Sequence, residues 1–333
     1  MAEVVSFGLF VFNHEQFVRE AIEGIYAQTY RPLELIVSED ASTDGSRLII
    51  DELLGKAPAG VNIIKIYQDT NKGLANAVNA IARHASGKVI VFGAGDDISE
   101  PNRVESSVAL FTDPNVMFVH SAHSVIDKNG RTLSSVEKND ARNGTHSLSD
   151  LINRKGPAVL GATASYRKDV FEYFSPLRPE IVQEDALLPF RALLLGKGRY
   201  LPEPLVRYRT HGGNISFGGI DACSDEIVRR FIRMQNNRLA LALNKTDDLS
   251  RHLARGRAAP EELTRQLAAD LLEAETEVRI VSGKSSLNKM ASILQGLFGR
   301  KLRFAAAVKF FFIYVIPRWY TFALWIRKKQ RLS

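Results

Sequence analysis

The stretch that most constrains the fold is residues 88–98, KVIVFGAGDDI, an apolar run that ends in two adjacent carboxylates. Residues 88–92 concentrate β-branched side chains in a short unbroken block, the composition of a strand buried on both faces of a parallel sheet. Asp96 and Asp97 then fall at a strand's carboxyl end, and ligands of open α/β sheets bind in the crevice beyond that edge. Gly93 and Gly95 allow a tight exit from the strand and a close approach of ligand to backbone. An acidic surface turn is the competing reading, and the pattern of the remaining chain weighs against it.

That pattern is strand, helix, strand, helix at the length of βαβ units. Residues 4–12 read as a strand, residues 15–28 as a helix, residues 33–37 as a second strand closed by Asp40, and residues 61–67 as a third. A helix over 71–84 leads into the 88–92 strand. Right-handed crossovers then give a mostly parallel sheet with helices on both faces. Beyond it, residues 101–111 read as a helix, 116–119 and 124–127 as strands, and 129–147 as a polar loop over the crevice. Strand character resumes at 160–166, a short helix follows at 170–174, and an apolar helix over 186–195 has Glu184 and Asp185 at its start, where carboxylates meet the positive end of the dipole. A strand over 199–208 ends in a polar loop that contains His211.

No G-x-G-x-x-G follows the first strand and no G-x-x-x-x-G-K-[ST] is present, which argues against dinucleotide and P-loop chemistry. Strand ends one, two and four offer Asn13, Asp40, Asp96 and Asp97. Acidic groups converging on one crevice are costly unless a cation joins them. A divalent ion carrying a diphosphate suits such oxygens, so Mg²⁺ or Mn²⁺ is expected, and no His/Cys cluster suggests zinc.

The formal charge of +7 is a property of the tail: residues 300–333 hold nine Lys or Arg and no acid, leaving 35 of the 44 basic side chains against all 37 acidic ones. A near-neutral body does not suit nucleic-acid binding. One cysteine, Cys223, excludes an intrachain disulfide, and the opening MAEVVSFGLF does not read as a secretory signal. Residues 225–245 and 261–281 have helical periodicity, separated by a break at 256–260, and residues 285–298 form a shorter amphipathic helix. These helices either pack on the catalytic domain or make an oligomer contact. Residues 304–326 are dense in aromatic and aliphatic side chains, interrupted by Lys309, Pro317 and Arg318 and flanked by basic clusters. That favours an element lying in the inner leaflet over a spanning helix, with a dimer contact as the other option.

The motifs VSFGLFVFNHEQFVREAIEGIYAQTYRPLELIVSEDASTDGS, NKGLANAVNAIARHASGKVIVFGAGDD, the ED pair at 184–185 and RYRTHGGNIS together resemble the inverting glycosyltransferase family 2, enzymes of GT-A fold. The resemblance covers about residues 4–215 and implies a nucleoside-diphosphate-sugar donor. By it, Asp40 accepts a hydrogen bond from the base beside Phe12 and Asn13. Asp96 lies at the ribose, and Asp97 coordinates the metal on the diphosphate. Asp185 is the catalytic base with Glu184 its neighbour, and His211 lies near the diphosphate or metal. Many members carry a further Asp where this chain has Ala94, which leaves the division between Asp96 and Asp97 open. The Q-x-x-R-W motif of processive synthases is absent after Asp185.

The expected organisation is therefore a GT-A domain over 1–218, a helical region over 219–299 and a basic aromatic tail over 300–333. The expected partners are a nucleotide sugar, a polyprenyl-diphosphate-linked glycan acceptor of O-antigen or capsule assembly, and the cytoplasmic face of a bacterial inner membrane. A nucleotidyltransferase or a non-catalytic nucleotide-sugar-binding or scaffold protein are the alternatives.

Overall fold

The structure is a computed structural model that describes residues 2–136, 144–153, 159–212 and 224–282 of the chain. The helix expected at 285–298 and the tail at 300–333 lie outside the described residues. The chain divides into two compact units, the first comprising residues 1–218 with 251–257.

The first unit opens with β1 (Val5–Val11), α1 (Val18–Tyr26), β2 (Leu33–Glu39), α2 (Ser46–Leu54), β3 (Val61–Tyr67), α3 (Leu74–His84) and β4 (Val89–Ala94). It continues through β5 (Ile98–Ser99), α4 (Arg103–Leu110), β6 (Val116–Ile126), β7 (Thr132–Val136), β8 (Thr145–His146) and α5 (Leu148–Ile152). β9 (Ala164–Arg167), α6 (Asp169–Tyr173), α7 (Leu188–Leu195) and β10 (Lys197–Arg209) complete it. The strands form one sheet of order β3-β2-β1-β4-β9-β6-β10-β5, with β7 on β6 and β8 on β10.

β1 to β4 are parallel. β9 is antiparallel to both β4 and β6, and β10 is parallel to β6. Six strands therefore point one way and share one carboxyl edge. Since β9 runs oppositely, the Gly161–Thr163 turn that precedes it reaches the same edge.

Alternation along each strand divides the core. Val5, Phe7, Leu9 and Val11 of β1 pack with Val18, Ile22 and Ile25 of α1 and Ile50 of α2, whereas Gly8 faces α3, where a Cβ would lie 2.6 Å from Ile81 Cγ2. Helices thus cover both faces of the sheet, as βαβ crossovers require.

At the amino edge, Glu34 is 3% exposed. It accepts hydrogen bonds from Ser6 Oγ (2.6 Å), Ser86 Oγ (2.8 Å) and the Ser86 N–H (2.9 Å), while Ser6 Oγ accepts the Gly87 N–H at 3.0 Å. One carboxylate therefore ties β1, β2 and the approach to β4, on the side away from the crevice.

The structure corrects several boundaries. The helix expected from Glu15 starts at Val18, and the one expected from Asn71 starts at Leu74, because the preceding residues are held in loops described below. The two strands expected at 116–119 and 124–127 form one strand of 11 residues, Val116–Ile126. His120 and Ser121 look like a polar break but are buried, and the His120 and His146 rings share one N–H between their Nε2 atoms at 2.8 Å. That contact, with β7, shows that parts of the segment read as a polar loop belong to the sheet. The start of the 160–166 segment is the Gly161–Thr163 turn, and only its end is strand.

The second unit contains α8 (Ser224–Ala254) up to residue 250 and α9 (Glu261–Ser282). α8 continues past the expected end at 245. Arg238 pairs with Glu277, and seven residues on, the charge of Asp270 opposes the burial that lowers the Lys245 pKa. The two helices are antiparallel partners, with Leu241, Leu263, Leu267 and Ala274 buried. Among the described residues no helix is long and apolar enough to cross a membrane.

Replacing Glu34 with Ala should lower stability by about 2–4 kcal/mol, since three donors lose a charged acceptor in a buried setting. Urea unfolding followed by circular dichroism reads this, and a shift below about 0.5 kcal/mol would show that the cluster does not hold the strands.

Candidate functional site

The first two βα loops are tied to each other. After β1, Asn13 adopts φ 56°, and after β2, Ala41 adopts φ 59°, a region that asparagine tolerates and alanine enters only at a cost. The Asn13 N–H donates to Ser42 Oγ (2.9 Å), and Asn13 Oδ1 accepts the Thr43 N–H (2.8 Å). The next two links are the His14 N–H to Ser46 Oγ (2.8 Å) and the Gly45 N–H to Glu15 Oε2 (3.0 Å). These bonds are why α1 begins late. Phe12, beside them, is 41% exposed.

Asp40, at the end of β2, is buried and accepts the N–H of Lys72 on Oδ1 (2.7 Å) and of Gly73 on Oδ2 (2.8 Å). Gly73 has φ 80°, so the chain turns there before α3 starts. A carboxylate oxygen has two lone pairs, so each keeps one acceptor direction beyond its backbone partner.

The turn after β4 carries Asp96 and Asp97, both buried. Gly95 allows it to pass the first loop: a Cβ there would lie 2.7 Å from His14 Nδ1. Asp96 Oδ2 accepts from His211 Nε2 at 3.0 Å, with His14 Nε2 at 3.8 Å. Burial works to raise the Asp96 pKa, but the His211 hydrogen bond and the charges of both histidines outweigh it, and the net shift is downward. Burial lowers the pKa of His14 more than Asp96 raises it.

Asp97 behaves oppositely. Burial, then the charge of Asp96, push its carboxyl well above the usual range, against the Arg209 N–H and the charges of Arg103 and Arg209. Oδ1 accepts the Arg209 N–H at 2.8 Å, while Oδ2 is buried with no hydrogen-bond partner. Arg103 lies fully buried nearby, donating to Phe92 O (2.6 Å) and Ser99 Oγ (2.9 Å), and burial brings its pKa down to about 9.

Among the described residues no group of three or more His, Cys, Asp or Glu is arranged to hold a metal. The partnerless Oδ2 is nevertheless a hard donor of the kind Mg²⁺ and Mn²⁺ accept, and such ions commonly take one or two carboxylates with the rest of the shell from substrate phosphate and water. The site fits a metal that arrives with a diphosphate better than a resident ion.

Glu184 and Asp185 lie in the 3₁₀ turn Glu184–Ala186, and α7 begins only at Leu188, with proline in its first turn. They are therefore not on the first turn of that helix. Glu184 lies against the Gly161 turn, where a Cβ would be 2.0 Å from its Oε1. Burial, then the neighbouring Asp185 charge, raise the Glu184 pKa to about 8. Burial, then the charges of both, raise the pKa of Tyr166, whose buried hydroxyl has no hydrogen-bond partner.

Asn13, Asp40, Asp96, Asp97 and His211 thus occupy successive strand ends on one edge, and Glu184 and Asp185 reach it through the Gly161 turn. Sequence reasoning missed His14, Arg209 and Tyr166. His14 and Arg209 stand within the motifs already singled out, and position next to Asn13 in the loop after the first strand was the available signal for His14.

Comparison with known proteins places this geometry. The family model described as Glycosyl transferase family 2 matches residues 6–174. An uncharacterized glycosyltransferase of Nostoc sp. is 29% identical over 220 residues, covering 65% of this chain and 67% of that protein. The putative glycosyltransferase EpsE of Bacillus subtilis is 38% identical over 106 residues, 32% of this chain and 37% of its own length. An Escherichia coli protein named UDP-Glc:alpha-D-GlcNAc-diphosphoundecaprenol beta-1,3-glucosyltransferase WfgD is 29% identical over 118 residues, 35% of this chain and 45% of that one. The matches thus span between about a third and two thirds of these relatives.

In three dimensions the S. aureus TarS 1–349 complex with UDP aligns at TM-score 0.52 and 16% identity over 89% of both chains. The Pyrobaculum calidifontis mannosyltransferase PcManGT, in complex with GDP-Man and Mn²⁺, aligns at TM-score 0.50 and 16% identity over 89% of this chain and 75% of that one. At such identity these likenesses speak to the fold. With half of its length matched by the family model, and with this sheet order and helical covering, the chain belongs to glycosyl transferase family 2 and has a GT-A-like fold.

Proposed function

We propose that this chain moves a sugar from a nucleoside-diphosphate sugar to a hydroxyl of a lipid-linked glycan acceptor, with inversion, in the assembly of a bacterial surface polysaccharide. The observation that carries the proposal is the gathering of Asp40, the Asp96–Asp97 turn and the Glu184–Asp185 turn at one carboxyl edge of the sheet. The names of relatives such as WfgD, and the nucleotide complexes of TarS and PcManGT, support the donor and acceptor classes.

In this reading the base of the donor lies by Phe12 and Asn13 and donates to Asp40, while Asp96 meets the ribose. Asp97 Oδ2, with His211 alongside, would hold Mg²⁺ or Mn²⁺ on the diphosphate, and that ion supplies charge neutralisation to the leaving group. Asp185 takes the proton of the acceptor hydroxyl as its oxygen bonds to the anomeric carbon. The bond from that carbon to the diphosphate breaks on the opposite face, the electron pair leaves with the nucleoside diphosphate, and one displacement inverts the centre. Glu184, protonated near neutrality, keeps the pair from carrying two charges. Without Q-x-x-R-W after Asp185, addition of one or a few sugars fits better than polymerisation. The tail at 300–333 supplies the attachment to the inner leaflet, where each basic residue adds about 1 kcal/mol of attraction to anionic lipid.

The direct test is release of nucleoside diphosphate from UDP-, GDP- and dTDP-sugars with Mn²⁺, Mg²⁺ or chelator. Metal-dependent release from one donor is expected; release of inorganic diphosphate would instead mark a nucleotidyltransferase. Asp185→Asn should cut transfer by roughly 10²- to 10⁴-fold while donor binding persists in calorimetry, and a variant of undiminished rate would remove Asp185 from its role.

Glu184 gives a pH signature. Its folded pKa, about 8, exceeds its ordinary value of 4.5. The folded state therefore holds the extra proton between those values, and this contribution to stability is complete below the ordinary value and lost as pH rises through about 8. The melting temperature of the wild type should fall relative to Glu184→Gln across that window, and parallel pH curves for the two proteins would contradict the assignment.

A further inference from the structure

Arg209, the last residue of β10, has no exposed surface. Its main-chain N–H donates to Asp97 Oδ1 at 2.8 Å, and Nε donates to the Asp96 carbonyl at 2.9 Å. Nη1 reaches the carbonyls of Asp127 (3.3 Å) and Lys128 (3.2 Å), and Nη2 donates to Glu20 Oε2 at 2.7 Å. The guanidinium lies 4.9 Å from the centre of the Phe17 ring, which is itself 4.7 Å from that of His211.

These contacts join three elements that share no regular structure: the aspartate turn, α1, and the tight turn between β6 and β7, where Asp127 Oδ1 accepts the N–H groups of Asn129 and Arg131. We propose that Arg209 is a positioning residue of the donor site, which holds the Asp96–Asp97 turn so that Asp97 presents Oδ2 alone. The inference rests on the donor and metal reading above.

Of the guanidinium's partners, Glu20 has a side chain half exposed, and the acceptors of Nε and Nη1 are neutral carbonyls. What the site uses is the planar fork, which lysine cannot reproduce. Arg103, also buried, acts one step earlier, on the Phe92 carbonyl within β4 and on Ser99. Arg209 bonds the turn itself, and its backbone occupies one oxygen of the carboxylate whose other oxygen is left open.

The test is calorimetric binding of UDP, GDP and dTDP, each with Mn²⁺, to wild type, Arg209→Lys, Glu20→Gln and the destabilised control Glu34→Ala, with folding checked by circular dichroism. Arg209→Lys should weaken binding of the nucleotide that the wild type prefers by about 10- to 100-fold and raise the Mn²⁺ needed for half-maximal binding in parallel. Glu20→Gln should weaken binding by about 2- to 5-fold, as loss of a half-exposed ion pair allows, and it decides the matter if Arg209→Lys does not fold. The control should bind as wild type does. Wild-type affinity in both Arg209→Lys and Glu20→Gln, or an equal loss in Glu34→Ala, overturns the proposal. A wild type that binds no nucleoside diphosphate at any Mn²⁺ concentration overturns the functional reading, and this role with it.

Discussion

Two adjacent carboxylates withdrawn from water at the end of a central strand are the constraint around which this edge of the molecule is arranged. Side by side and buried, Asp96 and Asp97 cannot both be comfortable as anions. The fold treats them differently. Asp96 receives an imidazole bond and a second histidine at ion-pair distance, and its pKa falls. Asp97 receives one backbone N–H and the field of two arginines, but burial and then the charge of Asp96 outweigh them, and its pKa rises. In the functional reading proposed above, the second carboxylate is the one that would take a cation brought to it, a divalent ion on a diphosphate.

That asymmetry requires the surrounding loops to be in place before a ligand arrives. Six hydrogen bonds link the loop after β1 to the chain after β2, and Asp40 fixes the start of α3 through two more. Each such bond is worth only about 1 kcal/mol net. Their effect is to remove freedom from residues 12–15 and 40–46 during folding instead of during binding, where the ordering cost would reduce affinity. The left-handed Asn13 and Ala41 mark where the backbone is bent to make the links possible. Glu34 performs the analogous task at the opposite edge, so the strands are pinned at one end and the ligand loops are free to be shaped at the other.

The sequence carried the strand pattern well wherever strands are buried on both sides, because apolar β-branched runs have few other uses: β2 and β4 are buried along nearly their whole length. It also carried the acidic residues, since strand ends locate them without any knowledge of contacts. What it did not carry depends on partners distant in sequence. A strand containing His120 and Ser121 looks interrupted until His146 and β10 are beside it. The starts of α1 and α3 are set by side chains some 30 residues away, which override local helix propensity. Arg209, although inside a motif, gave no sign of its role, since a basic residue at a strand end is ordinarily solvated and only the surrounding carbonyls reveal its use.

The same electrostatic device occurs twice at this edge. In Glu184–Asp185, as in Asp96–Asp97, neighbouring acids are separated by environment, with one member kept toward its neutral form. Here the close Gly161 backbone packs against the half-buried Glu184, and Tyr166 lies in the field of both groups. A pair that held two charges would repel itself and, in the functional reading proposed above, an anionic diphosphate as well. In that reading, a pair reduced to one charge would retain Asp185 as the proton acceptor while limiting that repulsion. Small residues are thus as necessary to the chemistry as the acids: without the bare Cα atoms of Gly95 and Gly161, neither His14 nor Glu184 could approach closely enough to set the charge state of the site.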